Sequence, residues 1–213
     1  MGKNIEMLKC FYGVMTNNKL EIQKILPDMY AENFYKIDDN YLKEINIDNL
    51  ILDIDGTLLK VDDINVNEDL IKQIQKLKDK KFNICLMSNN NESRVQPVAN
   101  ILQVKYLANA HKPLRQAFDN ALAILDSNKE NTAMIGDQMM SDIKGAKEYG
   151  IYSILVKPID KHNNIQTGTS RFLQNIMEKH LKKKTLFDSN KYYKKGRIKW
   201  RHTIQPKKGI LLN

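Results

Sequence analysis

Two aspartates that follow a short apolar run have the types and spacing of a chemical site. Asp53 and Asp55 come directly after residues 49–52, of which the last three are apolar. Such a run is typical of a strand that is buried on both faces of a parallel sheet. Alternate side chains of an extended chain point the same way, and Gly56 allows a sharp turn. Both carboxylates therefore belong at a strand's C-terminal end, where ligands bind in open α/β sheets.

The repulsion between these carboxylates indicates what the strand end could bind. A cation, a shared proton or bulk water must compensate two like charges at this separation. A divalent metal does so most directly, and oxygen ligands with no His or Cys beside them favour Mg²⁺ over zinc. The alternative for a bare Asp-x-Asp pair is an acidic turn that caps the next helix.

Residues 53–58 extend the pair into the longer motif Asp-Ile-Asp-Gly-Thr-Leu. This motif resembles the nucleophile motif of the haloacid dehalogenase (HAD) phosphotransferases at every defined position. The resemblance implies that Asp53 attacks phosphorus to give an aspartyl-phosphate. It also implies that Asp55 protonates the leaving oxygen and then activates water, while Thr57 braces the loop. Haloacid dehalogenases proper have a different residue at the position of Asp55, so this aspartate indicates phosphate chemistry.

Later strand ends carry the other polar residues that the resemblance requires. They are, in chain order, Ser88, Lys112 and Asp137, with Asp142 five residues further on. Taken alone, a serine at a helix start is usually an N-cap, and a lysine is usually a solvated charge. Their order and spacing after the Asp53 motif match all four HAD motifs.

The family roles of these residues follow from the charge that phosphoryl transfer develops. Ser88, Lys112 and backbone amides after Asp53 would stabilise the phosphoryl oxygens. Asp142 would orient Lys112 or a metal-bound water. Asn89, which follows Ser88 in the same motif, is assigned a supporting role.

The resemblance also implies a metal site. Mg²⁺ would be held by the side chains of Asp53 and Asp137 and by the main-chain carbonyl of Asp55.

Strand-like apolar runs alternate five times with helical periodicity after residue 48. This alternation predicts an α/β fold with a doubly wound parallel sheet and right-handed crossovers. The resemblance to HAD enzymes likewise implies their Rossmann-like three-layer core. The predicted strands span 49–52, 82–87, 104–107, 132–135 and 151–156, and the predicted helices between them span 68–80, 92–102, 113–125 and 141–149.

The intervals between the motifs leave no space for a cap domain. Only residues 59–67 form free loop before the second motif, and one helix and one strand fill the interval 88–112. HAD enzymes usually obtain substrate specificity from such caps. An uncapped site is open, and it suits a phosphate carried on a protein, a nucleic-acid end or a lipid head group.

The remaining chain divides into a helical lead-in, residues 1–48, before the catalytic core, 49–158, and a basic extension, 159–213. Ile5, Leu8, Tyr12 and Met15 predict one helical face, and residues 29–37 are expected to pack on the sheet edge. The net charge is +9. Residues 171–213 hold 13 Lys or Arg and two acids, so this segment carries +11 and the rest −2. Such a tail is suited to phosphates of nucleic acid or of an anionic lipid surface.

A narrower resemblance is to the YqeG-type branch of HAD subfamily IIIA, over roughly residues 20 to 200. The matching segments are 26–30, 88–92 with 94–95, 110–114, 136–142, 154–158, 169–171 and 195–200. The chain departs from this branch at Gly56, where Asn is general, and at Ser141, where Thr is usual. The branch is related to the phosphatidylglycerophosphate phosphatases, which makes such an enzyme of phospholipid synthesis the leading hypothesis.

Two alternatives remain open at the level of sequence. One is a phosphatase of nucleic-acid ends that is steered by the tail. The other is a basic RNA- or ribosome-associated protein with a vestigial site. The intact acidic set disfavours the second, because unpaired carboxylates without a metal would be destabilising.

Membrane association is the last expectation. The sequence has no apolar run near the ~18 residues that cross a bilayer and no signal peptide, which predicts a cytoplasmic protein. For a lipid enzyme, we expect peripheral binding at the inner membrane face through an interfacial helix and the basic tail. The apolar face of that helix would comprise Phe172, Leu173, Ile176, Met177 and Leu181; its alternative is a helix docked on the sheet.

Overall fold

Six parallel strands form the centre of the computed structural model, which describes residues 2–61, 63–159 and 165–184. The strands are β1 (Met29–Ala31), β2 (Asn49–Leu52), β3 (Asn83–Met87), β4 (Lys105–Leu107), β5 (Thr132–Gly136) and β6 (Tyr152–Val156). The helices are α1 (Gly2–Met15), α2 (Lys19–Ile25), α3 (Asp39–Glu44), α4 (Glu68–Asp79), α5 (Glu92–Leu102), α6 (Arg115–Leu125), α7 (Lys144–Tyr149) and α8 (Ile165–Lys183). The predicted α/β class and doubly wound parallel sheet are confirmed.

The strand order β1-β6-β5-β2-β3-β4 places β2 at the centre. Leu52 pairs with Leu86 of β3 on one side and with Ile135 of β5 on the other. The chain runs outward from β2 to β4 and then returns to β5, so the winding direction changes between β2 and β5. Such a change opens a crevice at the carboxyl ends of the two strands, where α/β proteins bind their ligands.

Strand β1 corrects the expectation for the lead-in. Residues 29–37 were expected only to pack on the sheet edge, but Met29–Ala31 pair with β6 as a sixth strand. Three residues are too few to show a strand period, which explains why the pattern gave no signal. The hydroxyl of Ser153 on β6 donates to Asp28 at 2.8 Å, which fixes this edge. The division of the chain at residues 48 and 158 stays a prediction.

Helix α1 packs with a different face from the one predicted. Cys10 and Val14 are fully buried, whereas Ile5, Leu8 and Tyr12 are 51%, 56% and 71% exposed. Both stripes are apolar at helical spacing, so the periodicity alone could not choose between them.

Helix α8 is docked on the core, as in the alternative to an interfacial helix. Met177 and Leu181 are fully buried in the cluster that includes Cys10 and Val14 of α1. That part of the predicted apolar face is therefore unavailable to a lipid surface, while Phe172 remains 64% exposed. Most of the basic segment, residues 185–213, lies outside the described residues. Among the described helices, none has the length and apolarity needed to cross a membrane.

Candidate active site

The ends of β2 and β5 bring three carboxylates together. Asp53 follows β2, Asp137 follows β5, and Asp142 lies in a π-helical turn, Met139–Ile143, that precedes α7. Each contributes an oxygen to a group whose members lie within 4.8 Å of one another. All three residues are buried, at 5%, 1% and 0% exposure. The sequence predicted that these residues meet at one sheet edge, and the structure places them there.

A buried lysine lies against this acidic group. The Nζ atom of Lys112 is 2.6 Å from Asp53 Oδ1 and 2.8 Å from Asp142 Oδ1. Asn89 holds the lysine backbone from both sides, since its Oδ1 accepts from Lys112 N at 2.6 Å and its Nδ2 donates to Lys112 O at 3.1 Å. The predicted supporting residues Asn89 and Asp142 thus both contact Lys112.

Burial and charge act on the pKa values of this pair in opposite directions. Burial raises the pKa of Asp53 to about 6, although Lys112 opposes the shift. Burial alone would lower the pKa of Lys112, but the two carboxylates outweigh it and leave that pKa raised. The lysine therefore stays charged, and it favours the ionised form of Asp53 that a nucleophile needs.

The turn after β2 presents Asp53 and its neighbours. Gly56 has φ +90°, a region that glycine adopts without strain. The turn then closes through Gly56 N, which donates to Leu59 O at 2.7 Å. Thr57 is buried, and its hydroxyl donates to Asp53 Oδ2 at 3.2 Å and lies 3.5 Å from Asp137 Oδ1. Thr57 therefore links the two strand ends, in agreement with its expected bracing position.

Ser88 lies where the sequence placed it, directly after β3. It is buried, and its Oγ accepts from Asn90 N at 3.1 Å. Its backbone nitrogen donates to Leu107 O and its carbonyl accepts from Ala110 N, both at 3.0 Å. The two backbone bonds fix the turn at Ser88 against the end of β4 and the segment that follows it.

Asp55 is held by two residues that the sequence analysis did not assign a role. Arg94 Nη2 and Nε lie 2.5 and 3.2 Å from Asp55 Oδ1, and Asn90 Nδ2 donates to Oδ2 at 2.7 Å. A signal was present in the sequence. Arg94 is the third residue of α5, where the positive end of a helix disfavours a cation.

Gly136 makes room for Asp142. A Cβ atom on Gly136 would collide with the Asp142 carboxylate, which lies directly over the end of β5. Asp142 Oδ2 accepts from Gln138 N at 3.0 Å, and Oδ1 accepts from Ser141 Oγ at 3.2 Å as well as contacting Lys112. The π-helical turn shapes this loop, and such turns are frequent at functional sites.

Gln174 of α8 supports the Asp137 loop and was missed entirely. Its Nε2 donates to the carbonyl of Asp137 at 2.9 Å, and its Oε1 accepts from Met139 N at 2.9 Å. The residue is 5% exposed. The available signal was a glutamine that shares its helix face with the apolar residues Met177 and Leu181.

Comparisons with known proteins agree with this geometry. A model described as haloacid dehalogenase-like hydrolase matches residues 50–112, and one described as HAD-hydrolase-like matches residues 109–163. Together with the parallel sheet and the acidic site at its carboxyl edge, these matches define a HAD-family phosphatase. "Probable phosphatase YqeG" of Bacillus subtilis (strain 168) is 32% identical over 159 residues, which are 75% of this chain and 92% of that relative. The chain belongs to the YqeG-type family of HAD phosphatases.

Solved structures with similar folds have lower identity. A HAD phosphatase from Thermococcus onnurineus is 17% identical with a TM-score of 0.41, over 46% of this chain and 50% of that chain. A 3-deoxy-D-manno-octulosonate 8-phosphate phosphatase from Moraxella catarrhalis, in complex with magnesium ion, phosphate ion and KDO, is 18% identical with a TM-score of 0.42. That match covers 67% of this chain and 90% of the Moraxella chain.

Proposed function

We propose that this HAD phosphatase is Mg²⁺-dependent, works through an aspartyl-phosphate on Asp53 and hydrolyses phosphatidylglycerophosphate. The observation that carries the chemistry is the buried contact of 2.6 Å between Asp53 and Lys112, with Asp142 on the other side of the lysine. Lys112 is only 2% exposed and Asp53 only 5% exposed. A solvated lysine or an aspartate that merely caps a helix would be much more exposed. An intact set of this kind in a phosphatase family supports an enzyme over a binding protein with a vestigial site.

The donor set fits a divalent cation. Asp53, Asp137 and Asp142, when ionised, exceed the charge of Lys112 by two, and their oxygens lie within 4.8 Å of one another. Asp142 is engaged by Lys112 and by backbone, so Asp53 and Asp137 would hold Mg²⁺, with the main-chain carbonyl of Asp55. The ion, when bound, neutralises charge on the phosphoryl oxygens.

The chain's own residues divide the reaction into two halves. In the first, a carboxylate oxygen of Asp53 forms a bond to phosphorus while the leaving oxygen departs with a proton from Asp55. In the second, Asp55 takes a proton from water, the water oxygen attacks phosphorus, and the bond from Asp53 to phosphorus breaks. Lys112 and Ser88 would donate to the phosphoryl oxygens in both halves.

The lipid assignment is supported by the open site and the family. Within the described residues, α5 and β4 occupy the interval between Ser88 and Lys112, and the segment between β2 and α4 adds no further domain. A phosphate on a large carrier can therefore approach the sheet edge. The relation of the YqeG-type branch to phosphatidylglycerophosphate phosphatases supports a lipid carrier, and the basic tail would favour an anionic membrane surface.

A substrate panel tests this proposal. Purified protein should release phosphate from phosphatidylglycerophosphate in mixed micelles faster than from a 3′-phosphorylated oligonucleotide or glucose 6-phosphate. Excess chelator should stop turnover, and Mg²⁺, not Zn²⁺, should restore it, because the ligands are all oxygens. Full activity in chelator would exclude the metal. If the enzyme instead prefers the oligonucleotide, and this preference falls steeply as the salt concentration rises, its substrate is the phosphorylated end of a nucleic acid.

Arg94→Ala is expected to impair proton transfer by removing the side chain that fixes the orientation of Asp55. The loss in kcat/KM should reach about 10²-fold on ethyl phosphate, whose alkoxide needs a proton, because general acid catalysis contributes about 10² to 10⁴. It should be much smaller on p-nitrophenyl phosphate, whose leaving group departs as the anion. Arg94→Lys should recover part of the loss, since it keeps the charge without the paired hydrogen bonds.

The matched control is Arg115→Ala, which removes an arginine side chain that is 84% exposed and 3.8 Å from Asp119. It should leave both substrates unaffected. Equal losses on the two substrates for Arg94→Ala would show that Arg94 does not act through the general acid.

A further inference from the structure

A groove lies between α1 and the segment that carries Lys112. Its volume is about 770 Å³, within the size range of small-molecule pockets. The lining residues are Ile5, Glu6, Lys9, Asn89, His111, Pro113 and Leu114. His111 and Pro113 flank Lys112 in the chain, and Asn89 holds the lysine backbone. The groove is therefore continuous with the residues that position the catalytic lysine.

The wall formed by α1 is fixed in place, and it combines the apolar side chain of Ile5 with the charged side chains of Glu6 and Lys9. The helix is anchored by buried Cys10 and Val14 and by Glu6, whose carboxylate lies 3.6 Å from the buried ammonium of Lys144. Burial of that inner stripe still leaves Ile5 and Leu8 more than half exposed. Of these two residues, Ile5 lines the groove, so its exposed side chain is accessible to a ligand there.

The opposite wall carries a residue that is unfavourable for stability. Leu114 is the N-cap of α6, makes no side-chain capping hydrogen bond and is 59% exposed. Ser, Thr, Asp or Asn at this position would satisfy a helix amide, whereas leucine leaves it without a side-chain partner. A departure from local preference at the mouth of a site is expected where function selects the residue.

We propose that this groove binds the apolar part of an amphiphilic phosphomonoester, with the phosphate at Asp53. Helix α1 then supplies the wall that a cap domain supplies in capped HAD enzymes. The inference rests on the proposed phosphatase chemistry, and it adds a location for the substrate's hydrocarbon portion. Its polar end would meet Asn89 and Lys112, and its apolar end would lie between Ile5 and Leu114.

Alkyl chain length is the direct test. The full chain with Mg²⁺ is assayed on ethyl phosphate and on monomeric octyl phosphate, and binding of ethyl and octyl phosphonate is measured by calorimetry. We expect octyl compounds to exceed ethyl compounds at least about tenfold in kcat/KM and in affinity. Two fully buried CH₂ groups suffice for this ratio at ~0.8 kcal/mol each.

The variant Ile5→Asn with Leu114→Asn should reduce the octyl-to-ethyl ratio to near one. Asparagine is uncharged, so neither substitution adds electrostatic repulsion for phosphate. At residue 114 asparagine is also a favourable N-cap, which should preserve the fold. The control Ile101→Asn replaces an isoleucine that is 49% exposed near the end of α5, and it should keep the wild-type ratio.

The outcomes separate the groove from the reaction. If the wild type hydrolyses both phosphates with an octyl-to-ethyl ratio near one, the proposed role of the groove is wrong and the proposed phosphatase chemistry is unaffected. Tight binding of octyl phosphonate that the double variant removes, without any turnover, would support the groove and refute the proposed chemistry. A preference for octyl compounds that arises only after deletion of residues 185–213 would mean that the chain's own tail, and not the substrate, occupies the groove. That result would also overturn the proposal.

Discussion

Asp53→Asn is expected to lower phosphate release by at least about 10³-fold while the protein stays folded. The amide has nearly the shape of the carboxylate but cannot attack phosphorus. Lys112 keeps its contact with Asp142 at 2.8 Å, so the substitution leaves no unpaired buried charge. Phosphate release and circular dichroism are measured on the same preparation.

The control for this variant is Asp48→Asn, at the other end of the same strand. The side chain of Asp48 is 53% exposed and pairs with Lys43 on the surface, so its loss should leave activity unchanged. A second measurement is mass spectrometry of acid-quenched enzyme during turnover. The phosphorylated form should occur in the wild type and in Asp48→Asn and be missing in Asp53→Asn. Residual activity near the wild-type level would remove Asp53 from the nucleophile role.

The sequence could predict that the site residues lie together, because their meeting follows from the topology of parallel strands. Asp53, Ser88 and Asp137 each follow an apolar run, and all carboxyl ends of a parallel sheet lie at one edge. Five runs of the right length were sufficient to predict that edge. The strand order, which puts β2 between β3 and β5, then fixes which of the residues are neighbours.

Contacts made across elements were not predictable from spacing. The choice between the two apolar stripes of α1 depends on Met177 and Leu181, which lie more than 160 residues later and pack with Cys10 and Val14. The hydrogen bond from Gln174 to the carbonyl of Asp137 likewise joins elements that are far apart in the sequence.

Of two departures from local preference, only the one at Arg94 was readable in the sequence, because the predicted helix 113–125 did not make Leu114 an N-cap. Arg94 in the first turn of α5 opposes the helix dipole, and Leu114 occupies an N-cap without capping. The first holds Asp55, and the second borders the proposed groove. Both residues are therefore positions at which the proposed variants test a functional role.

Lys112→Met is expected to have the largest combined effect on stability and activity. The lysine is 2% exposed between Asp53 and Asp142, so its loss leaves two buried carboxylates without their cation. Removing one partner of a buried ion pair typically destabilises a protein by about 3–5 kcal/mol. Turnover should also fall, because the phosphoryl oxygens lose a fixed positive charge. The free energy of unfolding is measured in urea and the activity on ethyl phosphate.

The double variant Lys112→Met with Asp142→Asn separates the two effects. It removes one of the stranded charges, so it should recover much of the lost stability, while activity stays low because the cation is still missing. Lys72→Met is the surface control; its ammonium is 3.1 Å from Glu68 and its side chain is 71% exposed. Exposed pairs of this kind contribute little, and the control should change stability by less than about 0.5 kcal/mol. If Lys112→Met is no less stable than that control, the buried lysine does not compensate the charge of Asp53 and Asp142, and the electrostatic account of this site is wrong.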